Sequence, residues 1–377
     1  MILVALKEQK ENEKRTSLTP QIVKKYKDMG LSVYIEKGVG EGAGFQDELY
    51  FEQGAEIATE EVIKESTFVL CATPPSEKNI KKIKENAFLI GQLKPLENDK
   101  ILKTLSIKKI NAFSMEFLPR ISRAQSMDVL SSQANLAGYR SVIEAAYYFK
   151  RAFPLMMTAA GTIPAAKVLI LGVGVAGLQA IATAKRLGAI VSAYDVRPST
   201  KEQVKSLGAT FIEVESFESG DGQGGYAKEM SEDYKKAQEE RLNAVIKTQD
   251  IVITTAQIPG KPAPLLVTEE MVKSMKPGSV IIDLAVESGG NCALSKNGEN
   301  VDCYGVKIVG PTNILSSIAY DASELYAKNI YTFIKALFKK EGDVFLPDWE
   351  DELVVGTLLT RDGSIVHPRF KIEDKIL

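Results

Sequence analysis

An α/β protein built as two doubly wound domains is what this sequence predicts, and three observations carry the prediction. Two successive series of short aliphatic runs alternate with helical stretches, a glycine-rich turn joins a run to a helix in the second series, and two long helical patterns bracket that series. With 377 residues the chain has room for two or three domains and for substantial cores without disulfide or metal staples. Hydrophobic residues make up 45% and charged residues 25%, with 47 Lys and Arg against 49 Asp and Glu. That balance excludes a disordered chain or a coiled coil and leaves no basic footprint for nucleic acid.

In the first series the strand candidates are Ile2 to Leu6, Ser32 to Glu36, Phe68 to Cys71, Ala87 to Ile90 and Lys109 to Phe113, with helices over Pro20 to Met29, Glu77 to Lys84 and Glu97 to Leu105. This is the βαβ rhythm of a parallel sheet. The second series runs through Val168 to Leu171, Ile190 to Tyr194, Thr210 to Ile212, Ile251 to Thr254, Val280 to Asp283 and Val306 to Val309. A helical pattern from Ser131 to Phe153 precedes it, another from Asp321 to Lys340 follows, and a strand-like run, ELVVGTLL, covers Glu352 to Leu359. No Pro-, Gly- or Ser-rich linker is visible near residue 340, so the expected layout is discontinuous. Residues 1–130 and 321–377 form the first domain, completed by the C-terminal segment, and residues 131–320 form the second.

Cys71, Cys292 and Cys303 are odd in number and lack CxxC spacing, which argues against a disulfide framework or a zinc site and fits a reducing compartment. The single histidine, His367, lies in a turn-like RDGSIVHP. Neither a Ser-His-Asp triad nor a histidine metal site is expected, so hydride or proton chemistry must rest on a cofactor and on Asp, Glu, Lys, Tyr or Gln. The N-terminal MILVALKEQ is strand-like and unlike a signal or transit peptide, and the uncharged stretch Val168 to Ala184 is broken by glycines and Gln179.

The strongest local signal is Gly172-Val-Gly174-Val-Ala-Gly177, directly after the strand KVLIL and opening the helical run LQAIATAKRLG. The first glycine makes the tight turn, the second lets backbone approach a pyrophosphate, and the third lets helix pack on strand. Free N–H groups near Val175 and Ala176 then face the phosphate charge. Asp195, ending the next strand, sits where a carboxylate accepts bonds from the adenosine ribose, which favours NAD over NADP, with Arg197 as a complicating cation. The plainer alternative is a close-packed strand-helix turn. A second glycine run, Gly38 to Gly44, has no strand ending in an acid at the right spacing and reads as a loop.

The stretch Phe117 to Ser132 packs Arg120, Arg123, Gln125, Asp128 and Ser131 together and is expected at an interdomain crevice, with helix capping by Asp128 or Ser131 and an Arg120–Asp128 pair as the structural alternative. The insertion Gly220 to Met230 has the composition of a mobile lid carrying one tyrosine, or of a surface loop. Loops Thr255 to Lys261 and Glu287 to Asn291 fall at the carboxyl ends of strands, where a nicotinamide would sit. Cys71 and Cys292 read as core or loop residues.

The segments PRISRAQSMDVLSSQANLAGYR, TAAGTIPAAKVLILGVGVAGLQAIATAKRLGA, YDVRPSTKEQVKSLG, GGYAKEMS, IPGKPAP and MKPGSVIIDLAVESGGN closely resemble domain I, the NAD(H)-binding component, of the proton-translocating nicotinamide nucleotide transhydrogenases, with alanine dehydrogenases as broader relatives. The resemblance runs from KEQ…EKRTSLTP to RDGSIVHP. It implies two Rossmann-like domains and a chain that binds NAD(H) and passes hydride to NADP+ held on domain III, while a membrane domain II couples the reaction to proton movement. It further implies a homodimer in the split arrangement, cytoplasmic and peripheral at the inner face of the membrane.

Carried over residue by residue, Arg120, Ile121, Ser122, Gln125, Asp128 and Ser131 would hold the nicotinamide end, with Gln125 reaching toward the partner nucleotide as the catalytic residue. Gly172, Gly174, Val175, Ala176 and Gly177 would line the pyrophosphate, and Asp195, Val196 and Arg197 the adenosine ribose. Gly225 and Tyr226 would belong to a closing loop, and Gln238 and Gln257 would contact nucleotide. Pro311 stands where relatives often carry His or Tyr, so no contact transfers there. Two other readings are an alanine dehydrogenase-like oxidoreductase, for which Lys94 is the only nearby candidate in FLIGQLKPLE, and a non-catalytic NAD sensor.

Overall fold

A computed structural model describes residues 1–371 apart from 215–217, 223–227, 229, 259 and 342–343, and apart from the side chains of 99, 340, 341 and 344. The chain forms two compact units, Met1–Gln133 with Leu315–Leu377, and Ala134–Ile314.

The first unit is an eight-stranded sheet in the spatial order Ser364–Ile365, Leu358–Arg361, Asn111–Ser114, Phe88–Gly91, Phe68–Cys71, Ile2–Ala5, Ser32–Ile35 and Glu56–Ile57. All pairings are parallel except those of the two C-terminal strands. Phe68 to Cys71 are buried at every position because both faces of a parallel sheet are covered. Phe68 and Leu70 enter one core with Leu3, Phe88, Ile90 and Phe113, while Val69 and Cys71 enter the opposite core with Val4, Leu89 and Ala112, as the two-residue period requires. Helix Ala319–Leu337 lays Ala322, Tyr326, Ile330, Phe333 and Leu337 on the first core at helical spacing. Its Tyr326 hydroxyl donates to Cys71 O (2.9 Å) and accepts from Gln92 N (2.9 Å), tying the helix to the carboxyl ends of two strands.

Two elements differ from the sequence expectation. The run Glu352 to Leu359 is not one strand. Asp351 accepts from Leu353 N (2.8 Å) and caps a helix, Glu352–Thr357, after which Leu358–Arg361 pairs antiparallel with Asn111–Ser114. The helix expected over Ser131 to Phe153 spans Val129–Tyr148. The apolar pattern continues past its end because Phe149 and Phe153 are both buried, edge to face, 6.1 Å apart.

The second unit is a seven-stranded sheet in the order Thr210–Phe211, Ile190–Tyr194, Lys167–Leu171, Ile251–Thr254, Val280–Asp283, Val306–Val309 and Asn300–Cys303, parallel throughout except for the last pairing. From Lys167–Leu171 the chain passes to Ile190–Tyr194 on one side and returns to Ile251–Thr254 on the other. The topological switch point, where open α/β sheets bind ligands, therefore lies at the carboxyl end of Lys167–Leu171, at Gly172. A hairpin that the sequence pattern does not announce, Met156–Thr158 with Gly161–Ile163, is exposed along both strands.

Candidate functional site

The three glycines at the switch point are each needed for a different reason. Gly172 has φ +94°, a left-handed conformation, and a Cβ there would stand 2.8 Å from Ala256 N and 2.9 Å from Thr255 Oγ1. Gly177 lies in the first turn of helix Val175–Arg186, where a Cβ would stand 2.0 Å from Gly172 O, so helix and loop are in backbone contact. At Gly174 a Cβ would meet nothing within 4 Å. The helix opens there with no side chain of the described residues capping it, which leaves the N–H groups around Val175 and Ala176 directed outward with the positive end of the helix dipole. Thr255 Oγ1 donates to Gly172 O (2.9 Å) and holds the turn. Gly138, which belongs to no sequence motif, makes a further backbone contact: its Cβ would stand 2.0 Å from Ala176 O.

Asp195 is 8% exposed and accepts four hydrogen bonds, from Val173 N (2.7 Å), Arg197 N (2.9 Å), Arg197 Nε (2.8 Å) and Arg197 Nη2 (2.7 Å). The bond to Val173 N fixes the carboxylate beside the glycine turn, but the guanidinium neutralises it. The hydrogen bond to Asp195 raises the Arg197 pKa further, so the cation persists. The expectation that Asp195 acts as a bare anion repelling a 2′-phosphate is therefore revised. The site presents an ion pair, and a ribose hydroxyl must compete with Arg197 for the same oxygens.

The turn after Asp195 carries the next segment. Gly220 N donates to Val196 O (3.0 Å), a Cβ on Gly220 would stand 2.4 Å from that oxygen, and Asp221 accepts from Ser199 Oγ (2.5 Å) and Ser219 Oγ (2.9 Å). Gly225 and Tyr226 lie outside the described residues. Gln238 is 8% exposed, and its Oε1 accepts from Tyr194 Oη (3.0 Å), which also meets Tyr234 Oη (3.0 Å), so its side chain braces the residue before Asp195. Burial pushes the Tyr194 phenol up, keeping it a neutral donor. Gln257 is exposed and donates to Leu284 O (3.1 Å). Buried Asn291 accepts from Ala256 N (3.0 Å) and donates to Ala256 O (2.9 Å) and Pro264 O (2.7 Å), clamping the loop that carries Gln257.

In the first unit, Ser122–Met127 forms tight helical turns in which Ala124 and Met127 are buried while Arg120, Ser122 and Gln125 are exposed and Ile121 is half-buried. Asp128 accepts from Ser131 N (2.9 Å) and Ser131 Oγ (2.6 Å), capping the long helix. Arg123 makes a two-pronged bond to Asp351 (2.8 and 2.6 Å). Asn329, 8% exposed and not singled out by the sequence, donates to Ser126 O (2.8 Å) and accepts from Ser132 Oγ (2.7 Å).

Other candidate groups are engaged in the fold. His367 is buried, its Nε2 lies 3.1 Å from Gly356 O, its Nδ1 accepts from Arg369 N (3.2 Å), and burial lowers its pKa. Lys94 pairs with Glu97 at the surface (3.3 Å). Glu8 accepts from Ala72 N (2.6 Å), Thr73 N (2.9 Å) and Thr73 Oγ1, and burial pushes its pKa up to about 7. Among the described residues no group of His, Cys, Asp and Glu could hold a metal ion.

The family description "Alanine dehydrogenase/PNT, C-terminal domain" matches residues 141–368, and the corresponding N-terminal domain matches residues 4–137. The chain is 53% identical to the first of the polypeptides that make up the split NAD(P) transhydrogenase alpha subunit of Rhodospirillum rubrum, over 96% of this chain and 97% of that protein. It is 48% identical to the protein of the same name from Rickettsia prowazekii, over 97% and 96%. Alanine dehydrogenase 1 of Staphylococcus aureus is a more distant relative, 32% identical over 77% and 74%. Among solved structures, a transhydrogenase from Sinorhizobium meliloti superposes with a TM-score of 0.88 at 48% identity, covering 97% of this chain and all of that one. An L-alanine dehydrogenase superposes at 0.79 with 22% identity, a likeness of fold. The chain belongs to the alanine dehydrogenase/PNT family, within its branch of NAD(P) transhydrogenase alpha subunits.

Proposed function

We propose that this chain is the NAD(H)-binding component of a proton-translocating transhydrogenase and passes hydride from NADH to NADP+ held by a partner subunit. The observation that carries the reading is the uncapped helix start at Gly174, opening at the switch point beside a carboxylate fixed to the same turn by Val173 N. This arrangement fits a dinucleotide: the N–H groups of Val175 and Ala176 receive the pyrophosphate, and Asp195 with Arg197 receives the adenosine ribose. Bound NADH supplies a hydride donor, and NADP+ on the partner is the acceptor. The chain's own task is to bind, orient and exclude water, with Arg120, Ser122, Gln125, Asp128 and Ser131 holding the nicotinamide end and Gln125 directed to the second nucleotide. Transfer between two nicotinamides needs no protein acid or base, consistent with a buried, hydrogen-bonded His367 and a surface-paired Lys94.

In this reading the partners are a membrane-spanning subunit and an NADP(H)-binding subunit, and the chain works as a homodimer at the inner face of the membrane. Among the described residues no helix is long and apolar enough to cross a membrane, so passage of protons is assigned to the partner. Self-association is supported by the exposed hairpin, where Leu155, Met156, Met157 and Ile163 present apolar side chains to solvent. The test is to mix the purified chain with an NADP(H)-loaded partner domain and follow hydride transfer between nucleotide analogues. Transfer is expected only in the mixture. Oxidation of alanine by the chain alone would overturn the assignment in favour of an amino-acid dehydrogenase.

A further inference from the structure

The segment from Arg120 to Ser132 hangs on side chains that follow it by about 200 residues in the chain. Its own cap, Asp128 on Ser131, fixes only the junction with the long helix. Arg123 reaches Asp351, which is itself the cap of helix Glu352–Thr357, but that arginine is exposed and its pair is the kind that contributes little in water. Asn329 is different. It is nearly buried, it sits in the middle of helix Ala319–Leu337, and both ends of its amide are used: Nδ2 donates to Ser126 O, and Oδ1 accepts from Ser132 Oγ. The same helix accepts a further bond from the residue after Ser132, with Gln133 Nε2 donating to Ala322 O (3.0 Å).

Gln125 lies between two fixed points. Ala124 before it is buried in the core, and Ser126 after it has its carbonyl held by Asn329. The exposed side chain of Gln125 thus leaves from a backbone whose direction the Asn329 amide sets. We infer that Asn329 is a positioning residue for hydride transfer, acting through the backbone of Ser126 on Gln125; this rests on the proposed role of the Gln125 segment. A backbone carbonyl and an amide nitrogen at 2.8 Å form a directional bond, and with that bond removed the buried Ala124 methyl and Met127 thioether hold the turn from inside by undirected packing alone. A shift of about 1 Å in a group that aligns two reacting rings costs on the order of a hundredfold in rate.

The two ends of the amide are separable by substitution. Asn329→Asp keeps the acceptor for Ser132 and replaces the donor to Ser126 O by a second oxygen. Ser132→Ala removes the other bond and leaves the clamp on Ser126. In the complex with an NADP(H)-loaded partner domain, Asn329→Asp and Asn329→Ala are expected to lower single-turnover hydride transfer roughly ten- to hundredfold with the NADH dissociation constant within about threefold of wild type, while Ser132→Ala keeps most of the rate. Amide hydrogen exchange on the chain alone is expected to accelerate across residues 122–128 in both Asn329 variants and to stay near wild type in Ser132→Ala. Normal rate and unchanged exchange in Asn329→Asp overturn the inference. If Ser132→Ala slows transfer as much as Asn329→Asp, the clamp on Ser126 is not the operative bond. A wild-type chain that binds NADH but supports no transfer with the partner refutes the proposed function, while the exchange readout still tests the clamp.

Discussion

Adding one methyl group at Gly174 and, separately, at Gly177 separates what the glycine turn does for the fold from what it does for the ligand. At Gly177 the new Cβ would stand 2.0 Å from Gly172 O, a backbone oxygen that Thr255 already holds, so helix Val175–Arg186 must retreat by at least about 1 Å. Overpacking of this kind costs about 1–3 kcal/mol. In a unit of 181 residues, from 134 to 314, each kcal/mol corresponds to a fall in Tm of roughly 2–4 °C. At Gly174 the Cβ meets nothing within 4 Å, and φ −81° with ψ −164° suits any L-residue, so Gly174→Ala should melt within about 2 °C of wild type. Its methyl occupies the space a pyrophosphate must enter, and a loss of NADH affinity of about tenfold or more, about 1.4 kcal/mol, is expected. Thermal melts and fluorescence titration with NADH measure the two effects. A Gly174→Ala protein that binds NADH normally, or a Gly177→Ala protein that melts with wild type, would refute the reasoning.

Four further outcomes follow from the same geometry. Arg197→Ala removes the cation that neutralises Asp195, so discrimination against NADPH should rise about tenfold, and parallel titrations with NADH and NADPH will show whether the ratio moves. Gln125→Asn should lower single-turnover transfer to the partner while NADH affinity stays near wild type; collapse of affinity with a normal rate would make Gln125 a binding residue. Burial raises Glu8 from 4.5 to about 7 in the folded chain, so between these values the folded state holds a proton that the unfolded chain has lost. Stability from this group is full below about pH 4.5, falls as pH rises to about 7, by about 3 kcal/mol, and is flat above, and Glu8→Gln should remove that component of the slope in denaturant titrations at stepped pH. Met157 is 79% exposed on the hairpin, and Met157→Glu should shift sedimentation from dimer toward monomer without lowering Tm by more than a few degrees.

Much of this was legible in the residues because it is local. The strand Phe68 to Cys71 is found where four consecutive apolar residues announced it, and the glycines at 172, 174 and 177 stand between a strand and a helix as their spacing implied. ELVVGTLL misled because a short apolar run does not distinguish a strand from a buried helix, and only Asp351, capping Leu353 N, starts the helix. The hairpin at 156–163 went unseen because Met, Thr and Ala show no polar alternation there when both faces are exposed. Asp195 and Arg197 were visible as neighbours, but that one carboxylate accepts four bonds is a matter of rotamers. Asn291 and Asn329 carry no sequence signal, since their partners lie about 30 and 200 residues away.

The interruption of the first unit by the second has a consequence for how the chain is made. Thr16 N donates to Ser323 Oγ (2.9 Å), and Thr360 Oγ1 donates to Ile110 O (2.7 Å), so the early strands find their covering helix and last neighbours only after residue 314 has been synthesised. At about 5–20 residues per second the ribosome spends roughly 10–40 s on the intervening 181 residues. Throughout that interval Phe88 and Phe113, which pack on Phe338, lack that partner, and the nascent first segment is a substrate for chaperones and proteases while the contiguous segment from 134 to 314 can already collapse on itself. Truncations inside Ala319–Leu337 therefore strike the first 133 residues to emerge from the ribosome rather than the residues nearest the cut.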